Sequence, residues 1–198
     1  MNETRLIAYA SLIAIFMVGC DSIEDATTSE SDIDDTPIAI IPGPTVARDI
    51  LFSELMSNPD FLLDNLGEWF EIRNPGTAKL NLRDCVFSNA ATNNFGINFD
   101  LFIEADEYVT FAISENPGLG FVPDINYIGT GLTLDNLADT LTLTCNGIVI
   151  DSRSYTIPSS GRSSALSNNG NAKWCDDLVN LYNPVDKGTP GAANINCP

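Results

Sequence analysis

Whatever chemistry this chain performs must come from carboxylates and thiols. Its 198 residues include 27 acids, 9 bases, five cysteines and no histidine. Ser-His-Asp and Cys-His catalytic sets are thereby excluded, as are the imidazole ligands of most zinc and copper sites, because each needs a group that titrates near neutrality. Two kinds of carboxylate chemistry stay open. Glu54, Asp64, Glu68 and Glu71, with Asp139, could converge at one end of a domain and offer oxygens to calcium, which takes about six to eight, although the chain has no EF-hand loop. Alternatively, two acids could act as acid and nucleophile in glycoside hydrolysis, which requires carboxyls about 5–9.5 Å apart in a concave site. The cysteines lack a Cys-x-x-Cys pair for redox work and the paired short spacings of a four-thiolate zinc site.

The spacing of Glu68 and Glu71 is odd, so on a single strand they face opposite sides and cannot chelate one ion through that strand alone. In the same register Phe70 and Ile72 face a core, while Trp69, Glu71 and Arg73 take the other face, where Glu71 and Arg73 would form an ordinary surface pair. Trp69 and Trp174 are candidate platforms for a sugar or a partner aromatic. The alternative reading covers Trp69 with the Asn-rich C-terminal segment. A formal charge of −18 repels phosphate backbones, so no nucleic acid partner is expected.

The thiols also bear on where the chain resides. Leu6 to Gly19 form an apolar run of fourteen residues, too short to span a bilayer comfortably and suited to the core of an export signal. Met17-Val18-Gly19-Cys20 resembles the lipobox of bacterial lipoproteins, which implies cleavage after residue 19, lipidation of Cys20 and attachment to a membrane through the lipid. Asp21 to Asp35 hold seven acids and no base, a composition that cannot bury enough surface to fold. Residues 20–47 therefore read as an acidic tether, stiffened near its end by Pro37, Pro42 and Pro44 and able to reach roughly 90 Å when fully extended. With Cys20 assigned to lipid, four cysteines remain for an oxidising compartment, and three pairings are possible. Cys85 and Cys145 lie in strand-like segments and Cys175 and Cys197 in an irregular one, so like pairs with like.

The elements that must position these groups are strands. Eight segments rich in β-branched and aromatic residues recur between turn formers: 50–56, 68–74, 79–82, 85–89, 96–102, 108–114, 139–145 and 148–155. Thr140-Leu141-Thr142-Leu143-Thr144 alternates cleanly, leucines inward, and Asn146-Gly147 predicts a type I′ hairpin turn into Ile148-Val149-Ile150. Only Leu62 to Leu66 offers a helical turn. Such spacing predicts an all-β sandwich or barrel. The segment from Ser167 to Pro198 holds Trp174, Leu178, Val179, Leu181 and Tyr182, so it is expected to be an ordered clasp that buries apolar surface, tied by Cys175–Cys197.

Glu54, the run Gly67-Glu68-Trp69-Phe70-Glu71-Ile72-Arg73-Asn74-Pro75-Gly76, Leu80-Asn81-Leu82, Ile150-Asp151-Ser152 and the closing Gly188-Thr189-Pro190-Gly191-Ala192-Ala193-Asn194 together resemble the bacterial form of the lamin-tail domain family. The resemblance spans about residues 48–198 and implies an immunoglobulin-like β-sandwich. Many members carry a tryptophan near the end of the Leu strand, where this chain has Asp84-Cys85-Val86. The resulting expectation is a lipid-anchored protein of the bacterial cell envelope, periplasmic or on the surface. Its sandwich would bind an unknown protein or carbohydrate, or act in adhesion or as a scaffold, with no catalysis and no cofactor. A calcium-stabilised structural domain and a carboxylate-only glycoside hydrolase are the alternatives.

Overall fold

The computed structural model describes residues 40–198; the export signal, Cys20 and the tether as far as residue 39 lie outside the described residues. Alternation builds two sheets. The first holds six strands: β1 (Leu51–Met56), β2 (Trp69–Arg73), β7 (Tyr108–Ala112), β8 (Ile125–Asn126), β11 (Ser164–Leu166) and β12 (Trp174–Asp176), in the order β12-β11-β1-β2-β7-β8. The second holds β4 (Cys85–Ser88), β5 (Asn94–Gly96), β9 (Ala138–Cys145) and β10 (Ile148–Thr156), in the order β10-β9-β4-β5. A two-stranded ribbon pairs β3 (Leu80–Asn81) with β6 (Phe102–Ile103). Every pairing is antiparallel except β7 with β8. The two larger sheets face one another as an all-β sandwich.

Between them lies a core of Phe52, Phe70, Phe87, Phe111, Leu141 and Leu143, all essentially inaccessible. Phe70 and Phe111, cross-strand partners on β2 and β7, stack with centroids 4.9 Å apart, and Phe87 of the opposite sheet sits 4.9 Å from each. Each such aromatic pair contributes about 0.5–1.5 kcal/mol beyond the area it buries. The hairpin forms as its sequence predicts: Asn146 and Gly147 both have positive φ, 51° and 77°, as a type I′ turn requires. Cys85 and Cys145 are direct partners across β4 and β9, with Cα atoms 4.2 Å apart, and form one disulfide; Cys175 and Cys197 form the other. The loops they close, 60 and 22 residues, correspond to about 4 and 3 kcal/mol of chain entropy.

Some expectations need correction. The segment 96–102 is not one strand: β5 ends at Gly96 and β6 begins at Phe102, with Ile97 turned into the core between them. Strands β8, β11 and β12 have two or three residues each, too few for alternation to register. The helical turn falls at Asp64–Gly67. Ahead of β1, the carbonyl of Pro42 accepts from the Asn81 amide at 2.9 Å.

The C-terminal segment is ordered, and apolar burial is only part of what holds it: Trp174 and Tyr182 pack against the two hydrophobic clusters, but its aliphatic residues do not. Leu178, Val179 and Leu181 are 54%, 74% and 60% exposed. It is secured further by β12, by the Cys175–Cys197 bridge and by buried acids: Asp186 accepts from the Asp60 amide at 2.8 Å, and Asp177 from the amides of Val179 and Asn180 at 2.7 and 2.9 Å. Removing residues 169–198 is therefore expected to cost several kcal/mol or solubility. A thermal melt unchanged by the truncation would overturn this account of the clasp.

Candidate functional site

Strand β2 is buried on both faces. Phe70 and Ile72 look into the sandwich, as alternation predicts, yet Trp69 and Glu71 on the other face are also fully inaccessible. Glu71 is thus no surface partner of Arg73, which pairs instead with Asp106 at 2.7 Å. A second layer lies over this outer face, where Met56, Trp69, Ala112 and Leu119 pack with Leu62, Phe121 and Tyr182. Trp69 meets Phe121 and Tyr182 edge-on at 5.5 and 5.6 Å. The expected cover comes from the C-terminal segment through Tyr182 and is shared with Phe121 from the loop after β7.

A β-bulge brings the acids together. In the β1–β2 pairing Phe52 faces Ile72 and Glu54 faces Glu71, leaving Ser53 as the extra residue. Strict alternation would have turned Glu54 into the aromatic core. With the bulge, Ser53 and Glu54 both lie against Glu71, and Leu55 returns to the inner face opposite Phe70. The Ser53 hydroxyl donates to Glu71 Oε1 at 2.6 Å and the Gly191 amide donates to Glu71 Oε2 at 2.6 Å. Glu54 accepts from the Ser163 hydroxyl and from the Thr189 amide, the latter at 3.0 Å. Asn194 completes the arrangement, its side-chain amide donating to the Ser53 carbonyl at 2.7 Å and the Leu166 carbonyl at 3.1 Å. Gly188 is required by this contact: a Cβ there would stand 2.9 Å from Glu54 Oε1 and from Ser163 Oγ.

The other three acids are elsewhere. Glu68 is buried and accepts from the Leu134 amide at 2.9 Å, and Asp64 accepts from Asn136 at 2.8 Å. Asp139 caps the Ala90 amide at 2.9 Å. The acids therefore form two groups rather than one convergent site, and most are buried turn-holding groups rather than solvated ones. Among the described residues no three acids or cysteines stand where they could hold a metal ion. Trp174 lies apart from Trp69, half-buried beneath the Arg153 guanidinium, whose carbon is 4.1 Å from the ring centroid.

Burial raises three of these carboxyls far above the usual range, Glu54 to about 7 and Glu68 and Glu71 to about 8. The hydrogen bonding agrees. Thr189 Oγ1 is 3.0 Å from Glu54 Oε2 and 2.9 Å from Asn194 Oδ1, yet its single proton can go to only one of them. A protonated Glu54 supplies the second. No protein-family model matches the chain, and no curated protein matches it.

Folded pKa values above the unfolded carboxyl value mean that this stabilisation is complete below about pH 4.5 and is lost as pH rises through 7 to 8. The thermal midpoint is expected to fall by several degrees between about pH 5 and pH 9. Glu71→Gln, which mimics the protonated carboxyl, should flatten that fall; a variant with the slope of the parent would count against the assignment. Gly188→Ala is expected to destabilise by about 1–3 kcal/mol through overpacking against Glu54 and Ser163, measured by denaturant melts.

Proposed function

We propose that the chain is a lipid-anchored protein of the bacterial cell envelope whose lamin-tail-like sandwich serves as a binding, adhesion or scaffold module. The thiol count carries the reading. Four of the five cysteines pair within the domain, and disulfides of this kind belong to oxidising compartments outside the cytosol. The apolar run Leu6 to Gly19 would supply export, and the one remaining thiol, Cys20, directly follows Gly19 at its end. Lipidation gives that cysteine a use.

Spatial clustering supports the lamin-tail resemblance. Glu54, the Glu68-Trp69-Phe70-Glu71 block and Gly188 to Asn194 are far apart in sequence, yet Glu54, Trp69, Glu71, Thr189 and Asn194 meet over one face of the first sheet. A binding role is favoured over catalysis by the way the acids are spent. Glu54, Glu68 and Glu71 are buried and engaged by protein donors. The groove beside Trp174, the groove along 115–123 and the one between Arg48 and Leu80 hold a single carboxylate each, Asp176, Glu115 and Asp49, where a glycosidase needs two.

Two experiments test this reading. Cells making the Cys20→Ala variant and fed a fatty-acid probe should lose label from the protein, and undiminished label would remove the anchor. Cross-linking on intact cells should capture an envelope partner through the domain; a protein that captures none in its native envelope would remove the module.

A further inference from the structure

A polar groove of about 330 Å³ opens at one side of the sandwich, between edge strand β10 of the second sheet and β11–β12 of the first. Arg153, Arg162 and Trp174 line it together with Ser159 and Ser164, whose hydroxyls meet Asp176 and Arg153, and with the β10 backbone at Ser154 and Thr156, the Ser154 hydroxyl itself turning outward to Thr140. Its positive charge is unpaired. Arg73, Lys79 and Arg83 each hold a carboxylate at 2.6–2.7 Å, whereas among the described residues neither Arg153 nor Arg162 has one within 4.0 Å. Arg48, Lys173 and Lys187 likewise have no side-chain carboxylate within 4.0 Å among the described residues, but Arg153 and Arg162 are two such bases lining one groove, in a chain with 27 acids against 9 bases. Asp176, the acid of the lining, is occupied in accepting from the Ser159 hydroxyl at 2.6 Å.

Arg153 is also pre-oriented. Its guanidinium lies over the Trp174 ring and its Nη2 donates to Ser164 Oγ at 3.2 Å, while its Nε has no partner. Stacking on an indole fixes the guanidinium plane, and with Nε buried and Nη2 donating to Ser164 it is the Nη1 end that is left to meet a carboxylate. Partial burial disfavours the Arg153 charge, a cost that a bound anion would offset. The lining is more polar than apolar, although Ile157 and Pro158 belong to it, and the volume is at the small end of ligand sites. We infer that this groove binds an acidic saccharide, a pyranose unit bearing a carboxylate, with the carboxylate on Arg153 and Arg162 and the ring hydroxyls against the serines and the β10 backbone. The inference rests on the binding-module reading and gives it a ligand class.

Calorimetric titration of the full-length protein in detergent with trigalacturonate, and with the neutral galactose trisaccharide, tests it. Binding of the uronate alone is expected, weakened roughly tenfold or more by Arg153→Gln and several-fold by Arg153→Lys, which keeps the charge but loses the planar fork. Arg162→Gln, at an exposed side chain, should also weaken binding without altering the thermal midpoint, and it decides the matter if the Arg153 variants do not fold. No uronate binding, equal affinity for the neutral sugar, poly-glutamate bound as tightly as the uronate, or unchanged affinity in Arg162→Gln would each overturn the inference. Envelope partners captured equally by the parent and Arg162→Gln, in a protein that binds no uronate, would leave the module standing and remove only this ligand.

Discussion

The fold depends on keeping water from the outer face of the first sheet while satisfying two glutamates that lie there. A sheet packed on one side usually presents its other side to solvent, and acids on that side are then inexpensive. Here Glu54 and Glu71 are inaccessible, so each must find donors inside the protein or remain a costly unpaired group. The donors come from one strand neighbour, Ser53, and from distant chain, Ser163, Thr189 and Gly191. The glutamates thus dictate where the last stretch of chain must lie, and Trp69 and Tyr182 fill the space beside them.

This dependence explains the pattern of what the sequence revealed. Long alternating segments were legible, because inward leucines and outward threonines follow from strand geometry alone; the β9–β10 hairpin, its Asn-Gly turn and both disulfides follow the expected arrangement. Alternation also assigned Trp69 and Glu71 correctly to one face and Phe70 and Ile72 to the other. What it could not report was the cover. Whether an outward face meets water depends on chain more than a hundred residues later, and no local period carries that information. The bulge at Ser53 was equally hidden, since a single extra residue leaves no mark in composition, yet it decides whether Glu54 enters the aromatic core or leaves it.

The clasp shows a related limit. Counting apolar residues between Trp174 and Tyr182 pointed to an ordered segment, and the segment is ordered, but Leu178, Val179 and Leu181 remain in water. Much of the work is done by Asp177, Asp186 and Asn194, whose side chains organise backbone amides and carbonyls. Short polar residues of this type ordinarily signal loops, and here they hold a loop to a sheet. The unpaired arginines beside Trp174 were invisible for the same reason: a guanidinium without a partner can be recognised only after every nearby carboxylate has been placed.

The contact between Pro42 and Asn81 has a mechanical meaning. Load arriving along the chain from residues before Pro42 meets the bond to the β3 backbone, then the bond from the Arg48 amide to the Ile150 carbonyl, before it reaches β1. Strand β1 lies inside the first sheet with β2 on one side and β11 on the other. Extracting it lengthwise would shear both ladders together instead of opening them one rung at a time, and the Glu54 and Ser53 contacts to the closing loop would resist alongside. A domain connected in this way is suited to bearing tension through its leading end.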